Sequence, residues 1–287
     1  MAANADPVRD PLLLDGVSVA VTNEAGDLAA LLDNVDLSLN PGEWLNVVGV
    51  NGSGKTTLAR ILAGLYVEGS AGSLSRGFAG ESASPIVLQR PEAQLFGETP
   101  REEVLFALEW RQVPSHEIAG RTEETLRMTG LLELADVRWE GLSGGQRQLA
   151  AVAAAAACSA PLIVFDEAAS MLDETNRAVV LGLARELHQQ GTAIVWVTQR
   201  LDELMPGDRV IAMADGRVIY DGLVRAFFYG DEENPDGLTP CESCGLRLPY
   251  MSALALQWKR AGRWSGLLPV TQQEWREVWG NAERSHV

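Results

Sequence analysis

Apolar and polar residues alternate twice near the start of the chain, over 17–21 (Val-Ser-Val-Ala-Val) and 35–39 (Val-Asp-Leu-Ser-Leu). A two-residue period predicts strands with one buried face, and the two patches within Leu12 to Leu39 read as antiparallel strands. Trp44 to Val48 is a short apolar run that ends in a glycine-rich turn, and helix-like sequence follows from Lys55 to Leu65. Ile86 to Leu88 reads as another short strand. Pro100 to Leu134 is helix-like, with Thr99-Pro100 placed as a helix start. Leu149 to Phe165 is apolar, but Pro161 interrupts it, Ser159 dilutes it, and nearly half of it is alanine. It falls short of the ~20 strongly apolar residues of a membrane span and reads as a buried helix followed by a strand. Leu162 to Phe165 and Ala193 to Val197 are apolar strands separated by a helix-like stretch, Glu174 to Gln190. Strands alternating with helices predict a parallel sheet. Asp215-Gly216 marks a hairpin between Val210–Met213 and Arg217–Tyr220. A polar break, Gly230 to Thr239, precedes the final segment. The division predicted is a domain over 1–230 and a small C-terminal helical extension over 231–287.

The chain has 287 residues, 46% hydrophobic and 22% charged, which suits one soluble globular domain with an appendage. Its 23 cations against 39 carboxylates leave a net charge of −16. So acidic a chain is a poor candidate for gripping nucleic acid, and it lacks the polybasic stretch of a self-anchoring membrane protein. Only Lys55 and Lys259 are lysines; the other cations are arginines. Cys158, Cys241 and Cys244 are too few for a disulfide framework. Met1 to Pro11 has no basic stretch followed by an apolar run, so no signal peptide is expected.

Lys55 falls inside the strongest motif. Gly49-Val50-Asn51-Gly52-Ser53-Gly54-Lys55-Thr56 fits G-x-x-x-x-G-K-[ST], with a strand before it and a helix after it. Its glycines let the backbone curl so that successive N–H groups, with the helix N-terminus, meet phosphate oxygens. Lys55 reaches the β- and γ-phosphates, the Thr56 hydroxyl ligates Mg²⁺, and Thr57 follows in the same first turn. A second strand, Leu162 to Phe165, ends in Asp166, placed to hold Mg²⁺ through water; Glu167 is placed to polarise an attacking water. A solvated acidic turn is the plainer alternative for this pair. Leu142-Ser143-Gly144-Gly145-Gln146 opens an alanine-rich helix. Ser143 and the glycine N–H groups make a second anion-binding helix start.

With these residues in order the chain resembles the ATP-binding cassette (ABC) ATPases, over about residues 12 to 225. The matching elements are the Walker A loop at 49–56, a glutamine loop at Gln89, the signature at 142–146, Walker B at 162–166 with Glu167, and a D-loop at Ser170 to Asp173. The resemblance implies an α/β P-loop NTPase fold: a mixed sheet core, an antiparallel β subdomain and a helical subdomain. It implies ATP and Mg²⁺ as cofactors, with Gln89 also ligating Mg²⁺ and lying in the loop that touches the membrane partner. It implies head-to-tail pairing, with ATP between the Walker A of one subunit and Ser143, Gly144, Gly145 and Gln146 of the other. The stretch Gln89-Arg90-Pro91-Glu92-Ala93-Gln94-Leu95-Phe96, then Thr99-Pro100-Arg101-Glu102-Glu103-Val104, looks like the energy-coupling factor (ECF) transporter ATPases, which energise uptake of vitamins and of cobalt or nickel ions. Core packing is the plainer reading of Leu95-Phe96. The tail, from Cys244 to Pro249, then Leu254 to Arg260 and Pro269-Val270-Thr271, is similar to the extension that helps those ATPases pair.

The implied partners are a second ABC ATPase, self or paralogue, a transmembrane coupling protein and a substrate-binding membrane protein. No nucleic acid is implied, and the expected place is peripheral, at the cytoplasmic face of the membrane. Two positions depart from the family pattern. Gln199 stands where a histidine usually meets the γ-phosphate; glutamine donates a hydrogen bond but carries no proton. Near Val21 an aromatic residue usually stacks on adenine, and none is present. Gln199 keeps open a low-turnover nucleotide-binding partner in a heterodimer. A soluble, non-transport ABC ATPase is a third reading, disfavoured by the single cassette and the acidity. Cys241-x-x-Cys244 lacks further ligands for a zinc site and reads as a local structural feature. Trp275 and Trp279 read as one packed helix face, and Asp231-Glu232-Glu233 as a solvated linker.

Overall fold

The computed structural model describes residues 10–22, 28–230 and 237–284. The run Asp231-Glu232-Glu233 lies outside the described residues. Two alternating patches do form antiparallel strands, β1 (Leu12–Thr22) and β2 (Leu28–Leu39). A third strand, β4 (Ser70–Ser75), joins the other edge of β1 after β3 (Trp44–Gly49) and α1 (Lys55–Leu62), giving the order β2-β1-β4. β4 has almost no apolar residues to alternate, so its sequence carries no strand period; pairing with β1 makes it a strand. α1 stops short of Leu65 because Gly64 leaves the helix with a φ of +78°.

A six-stranded sheet forms the centre. β5 (Ile86–Val87), β6 (Leu162–Asp166), β7 (Ala193–Val197), β3 and β8 (Arg209–Ala214) run parallel in that order, and β9 (Arg217–Leu223) closes the edge antiparallel. The sheet is therefore mixed, with the hairpin expected at Asp215-Gly216 joining β8 to β9. Asp215 and Gly216 both take positive φ, +48° and +77°, the two-residue turn that folds β9 back on its neighbour.

The helix-like stretch from Pro100 to Leu134 is two helices, α2 (Pro100–Trp110) and α3 (Ser115–Met128), and a short 3-10 turn. Pro114 supplies the break: it offers no N–H to extend α2 and biases the residue before it toward extended backbone. α2 begins as the Thr99-Pro100 signal implies, with the Thr99 hydroxyl accepting the Glu102 N–H. α4 (Gly144–Ala157) is alanine-rich and buried along most of its length, so it lies close against α2 and the sheet. α5 (Glu174–Gln189) covers the same face through Val180, Leu183, Ala184 and Leu187. On the other face Leu45, Val47, Val164, Val195 and Val197 meet α1 and the inner side of β1 and β2. Both faces of the central strands are thus covered, as parallel strands require.

After β9 come α6 (Val224–Tyr229), α7 (Pro240–Ser243), α8 (Tyr250–Arg260) and α9 (Gln272–Arg284). Cys241 and Cys244 pack with Val48, Phe227 and Phe228 in one apolar cluster. Burial pushes the Cys241 thiol up to about 12 and that of Cys244 up to about 11. Both thiols are buried within this apolar cluster, where they serve as packing residues. The rings of Trp258, Trp264 and Trp275 meet at centroid distances of 5.4–6.2 Å, and Trp275 is buried. The side chain of Trp279 lies outside those described.

Candidate functional site

The parallel strands β3, β6 and β7 all end at one edge of the central sheet, where α/β sheets hold ligands. β3 ends at Gly49, whose φ is +154°; a Cβ there would lie 2.4 Å from the Met213 carbonyl oxygen. Gly54, with φ +99°, would bring a Cβ within 2.4 Å of the Leu31 carbonyl oxygen. Only glycine fits at these two positions, and between them the chain curls over the first turn of α1.

Lys55 is buried at the base of that curl. Its Nζ donates to the carbonyls of Gly49 and Val50, both at 2.9 Å, and lies 3.9 Å from Glu167 Oε1. Burial lowers its pKa, while Glu167 and then Asp166 oppose the shift. The Thr56 hydroxyl donates to Asp166 Oδ1 at 3.2 Å. Asp166 is buried at the end of β6, and desolvation raises its pKa against the Thr56 hydrogen bond. With the Thr56 hydroxyl and the Gln89 side chain nearby, the donors are oxygens, the set that suits a hard divalent cation.

Glu167 follows with φ +51°, a left-handed backbone that a non-glycine residue adopts at some cost. Its N–H donates to the Val197 carbonyl at 3.0 Å, and its carbonyl accepts the Ser170 hydroxyl at 2.8 Å. The bend turns its carboxylate toward Gln199, beyond the end of β7. Gln199 Nε2 donates to Glu167 Oε1 at 2.7 Å and to Asn51 Oδ1 at 2.8 Å, tying the carboxylate to the phosphate-loop residue.

These residues enclose a cleft of about 380 Å³. Asn51, Gly52, Gly54, Lys55, Thr56, Thr57, Gln89, Asp166, Glu167 and Gln199 line it; Gly49 and Ser53 do not, the Gly49 carbonyl accepting from Lys55 and Ser53 being buried. Leu31 also lines it, and among the described residues no aromatic side chain does. Leu31 has no mark in the sequence that would single it out, because an aliphatic residue in an alternating strand carries no chemical signal. Ser143, Gly144, Gly145 and Gln146 lie outside the cleft, opening α4. There Ser143 and Gln146 cap the helix reciprocally, each side chain taking the other's backbone N–H, at 3.2 and 2.8 Å. The first-turn N–H groups of Gly144 and Gly145 have no helical acceptor of their own. Further along α4, Gln148 Nε2 donates to the Leu88 carbonyl at 2.8 Å, and Gln94 accepts the Leu88 N–H at 2.7 Å. The segment carrying Gln89 is therefore moored to the helix that carries the signature.

Beside this segment runs an apolar groove of about 430 Å³ between β5, α2 and α4. Phe96, Phe106 and Trp110 stack along it at 5.2 and 6.1 Å, with Phe96 75% and Trp110 77% exposed. Leu95 packs against the helical core while Phe96 faces out, so core packing accounts for only the first of that pair.

A family described as ABC transporter matches residues 32–170. An energy-coupling factor transporter ATP-binding protein of Symbiobacterium thermophilum is 37% identical over 231 residues, covering 76% of this chain and 80% of the relative. The chain belongs to the ABC transporter ATP-binding proteins of the energy-coupling factor type. A relative with the same description in Halalkalibacterium halodurans is 34% identical over 257 residues, 86% of this chain and 89% of its own. Among solved structures, cbiO1 from Clostridium perfringens, part of the ABC transporter complex cbiONQ, superposes with a TM-score of 0.64 at 26% identity, over 86% of this chain and 98% of that one. An ATP-binding cassette solved as a post-hydrolysis dimer bound to ADP and Pi gives a TM-score of 0.64 at 25% identity, over 75% of this chain and all of that one. As an ECF-type ATP-binding protein, this chain is an ATPase coupled to transport. Among the described residues no helix is long and apolar enough to cross a membrane.

Proposed function

We propose that the cleft hydrolyses ATP to drive an energy-coupling factor importer of vitamins or of cobalt or nickel ions. The carrying observation is the convergence of Lys55, Thr56, Asp166, Glu167 and Gln199 on one cleft, with the signature residues outside it. Lys55 and the loop N–H groups hold the β- and γ-phosphates. Glu167 orients a water and takes its proton as the water oxygen bonds to the γ-phosphorus; the bond to the bridging oxygen breaks and ADP leaves. Gln199 holds the Glu167 carboxylate by a hydrogen bond of 2.7 Å, which favours turnover over a merely nucleotide-holding role. Thr56 and Gln89, backed by Asp166, would hold Mg²⁺, whose charge neutralises that developing on the phosphates. Ser143, Gly144 and Gly145 serve the cleft of a second cassette, a copy or a paralogue; the dimeric form of the ADP-bound relative supports this pairing. Adenine rests on aliphatic surface at Leu31.

The aromatic groove receives the transmembrane coupling protein, which joins this chain at the cytoplasmic face to the membrane protein that binds substrate. An exposed apolar row of this kind marks an interaction surface, and its neighbour is the moored Gln89 segment. Trp110→Arg tests the docking. Because Trp110 is 77% exposed, the fold should tolerate the change. Co-purification of the membrane partner is expected to be lost, with ATP affinity kept within about twofold. Undiminished co-purification would contradict the assignment.

A further inference from the structure

Thr198 and Arg200 flank Gln199, and one buried carboxylate pins both. Glu203 closes the 3-10 turn Leu201–Glu203, and its side chain is 4% exposed. Its Oε2 accepts the Thr198 hydroxyl at 2.8 Å and the Trp196 indole N–H at 2.9 Å. Thr198 Oγ1 in turn accepts the Arg200 backbone N–H at 2.9 Å. The residue held between them is the one whose amide spans Asn51 and Glu167. A glutamine amide has two N–H donors, and both are engaged here. Neither bond survives much displacement of the backbone at 199, since hydrogen bonds weaken steeply with distance and angle.

The other oxygen of Glu203, Oε1, lies 3.6 Å from Arg200 Nε and 3.9 Å from Arg177 Nε, and has no hydrogen-bond partner among the described residues. Arg177 also pairs with Glu174, and Arg200 with Asp202. Burying an anion is expensive even when arginines pair with it at 3.6 and 3.9 Å, and a neutral residue would fill the same space at lower cost. What the carboxylate adds is a pair of charge-assisted bonds on one oxygen, both directed at the end of β7 from which Gln199 projects.

We propose that Glu203 is a positioning residue for hydrolysis. It fixes Thr198 and Arg200, through them the Gln199 amide, and through that amide the Glu167 carboxylate. It touches neither phosphate nor water itself. This rests on the assignment of Glu167 and Gln199 to hydrolysis above.

The test is a double-mutant cycle on ATP turnover by the complex purified through this chain, with Gln199→Ala, Glu203→Gln and the two combined. Each single change is expected to lower kcat about tenfold, from a displaced reacting group. KM for ATP should stay within about twofold, because ground-state binding is untouched. The combined variant should be no slower than the slower single one, because both changes break one chain of contacts. A combined loss of about 100-fold, the product of two independent effects, would overturn the proposal. So would a Glu203→Gln protein with raised KM and unchanged kcat. If Gln199→Ala itself leaves kcat unchanged, the site assignment fails and this proposal with it; additivity with an active Gln199 defeats this proposal alone. Thermal melts accompany each variant. Where Glu203→Gln fails to fold, Thr198→Val, which removes the hydroxyl and keeps the shape, takes its place in the cycle with the same two outcomes.

Discussion

Glu167→Gln is expected to lower kcat for ATP hydrolysis by about 10²- to 10⁴-fold, the range for losing a general base. ATP binding should survive it. The glutamine side chain keeps an oxygen for the Gln199 amide, which now donates to Glu167 Oε1 at 2.7 Å. It also keeps the shape of a residue whose backbone is held left-handed, at φ +51°, by bonds to Val197 and Ser170. What it loses is the ability to take a proton, and with it a negative charge facing the triphosphate. Removing that charge relieves repulsion, so the Kd for ATP should be unchanged or tighter by up to about threefold. Single-turnover phosphate release beside equilibrium binding of ATP separates the two effects. Equal turnover in both proteins would move the base elsewhere.

Lys55→Ala should do the converse and fail at binding. The ammonium is buried, its charge is opposed by desolvation, and it holds the Gly49 and Val50 carbonyls while facing Glu167. A triphosphate entering the cleft would take over some of these donors. Losing charge-assisted bonds worth about 2–3 kcal/mol corresponds to ATP affinity weakened about 30- to 150-fold. The two carboxylates, Asp166 and Glu167, would then face the phosphates with no nearby ammonium. Titration of ATP against the purified variant reads the loss; an affinity within about threefold of the wild type would remove Lys55 from the site.

The parts of this site that were legible beforehand are those where local backbone chemistry leaves a mark. The phosphate loop needs glycine at 49 and 54 because Cβ atoms there would strike the Met213 and Leu31 carbonyls, so the glycines appear in the sequence. Helix starts leave marks too: Thr99 before Pro100, and Ser143 with Gln146 three residues on. Long-range partners leave none. β4 is a strand because β1 is beside it, and its three serines and one glycine show no period. The order of the central sheet, with β3 between β7 and β8, comes from packing over both faces. Glu203 reads as one more acid in a polar turn; only the folded chain places its carboxylate under Trp196 and Thr198. The break between α2 and α3 falls at Pro114, inside the stretch whose sequence reads as helix-like throughout.

The central claim is that one cleft of this chain holds ATP and that a second cassette's signature completes it. The most direct measurement is the structure of the Glu167→Gln protein, purified with the cassette that accompanies it, with ATP and Mg²⁺. The expected result places the β- and γ-phosphates against Lys55 and the backbone of residues 51–56, with the signature of the facing cassette closing over the γ-phosphate. ATP bound away from Lys55, or bound there with no second cassette facing it, would contradict the account.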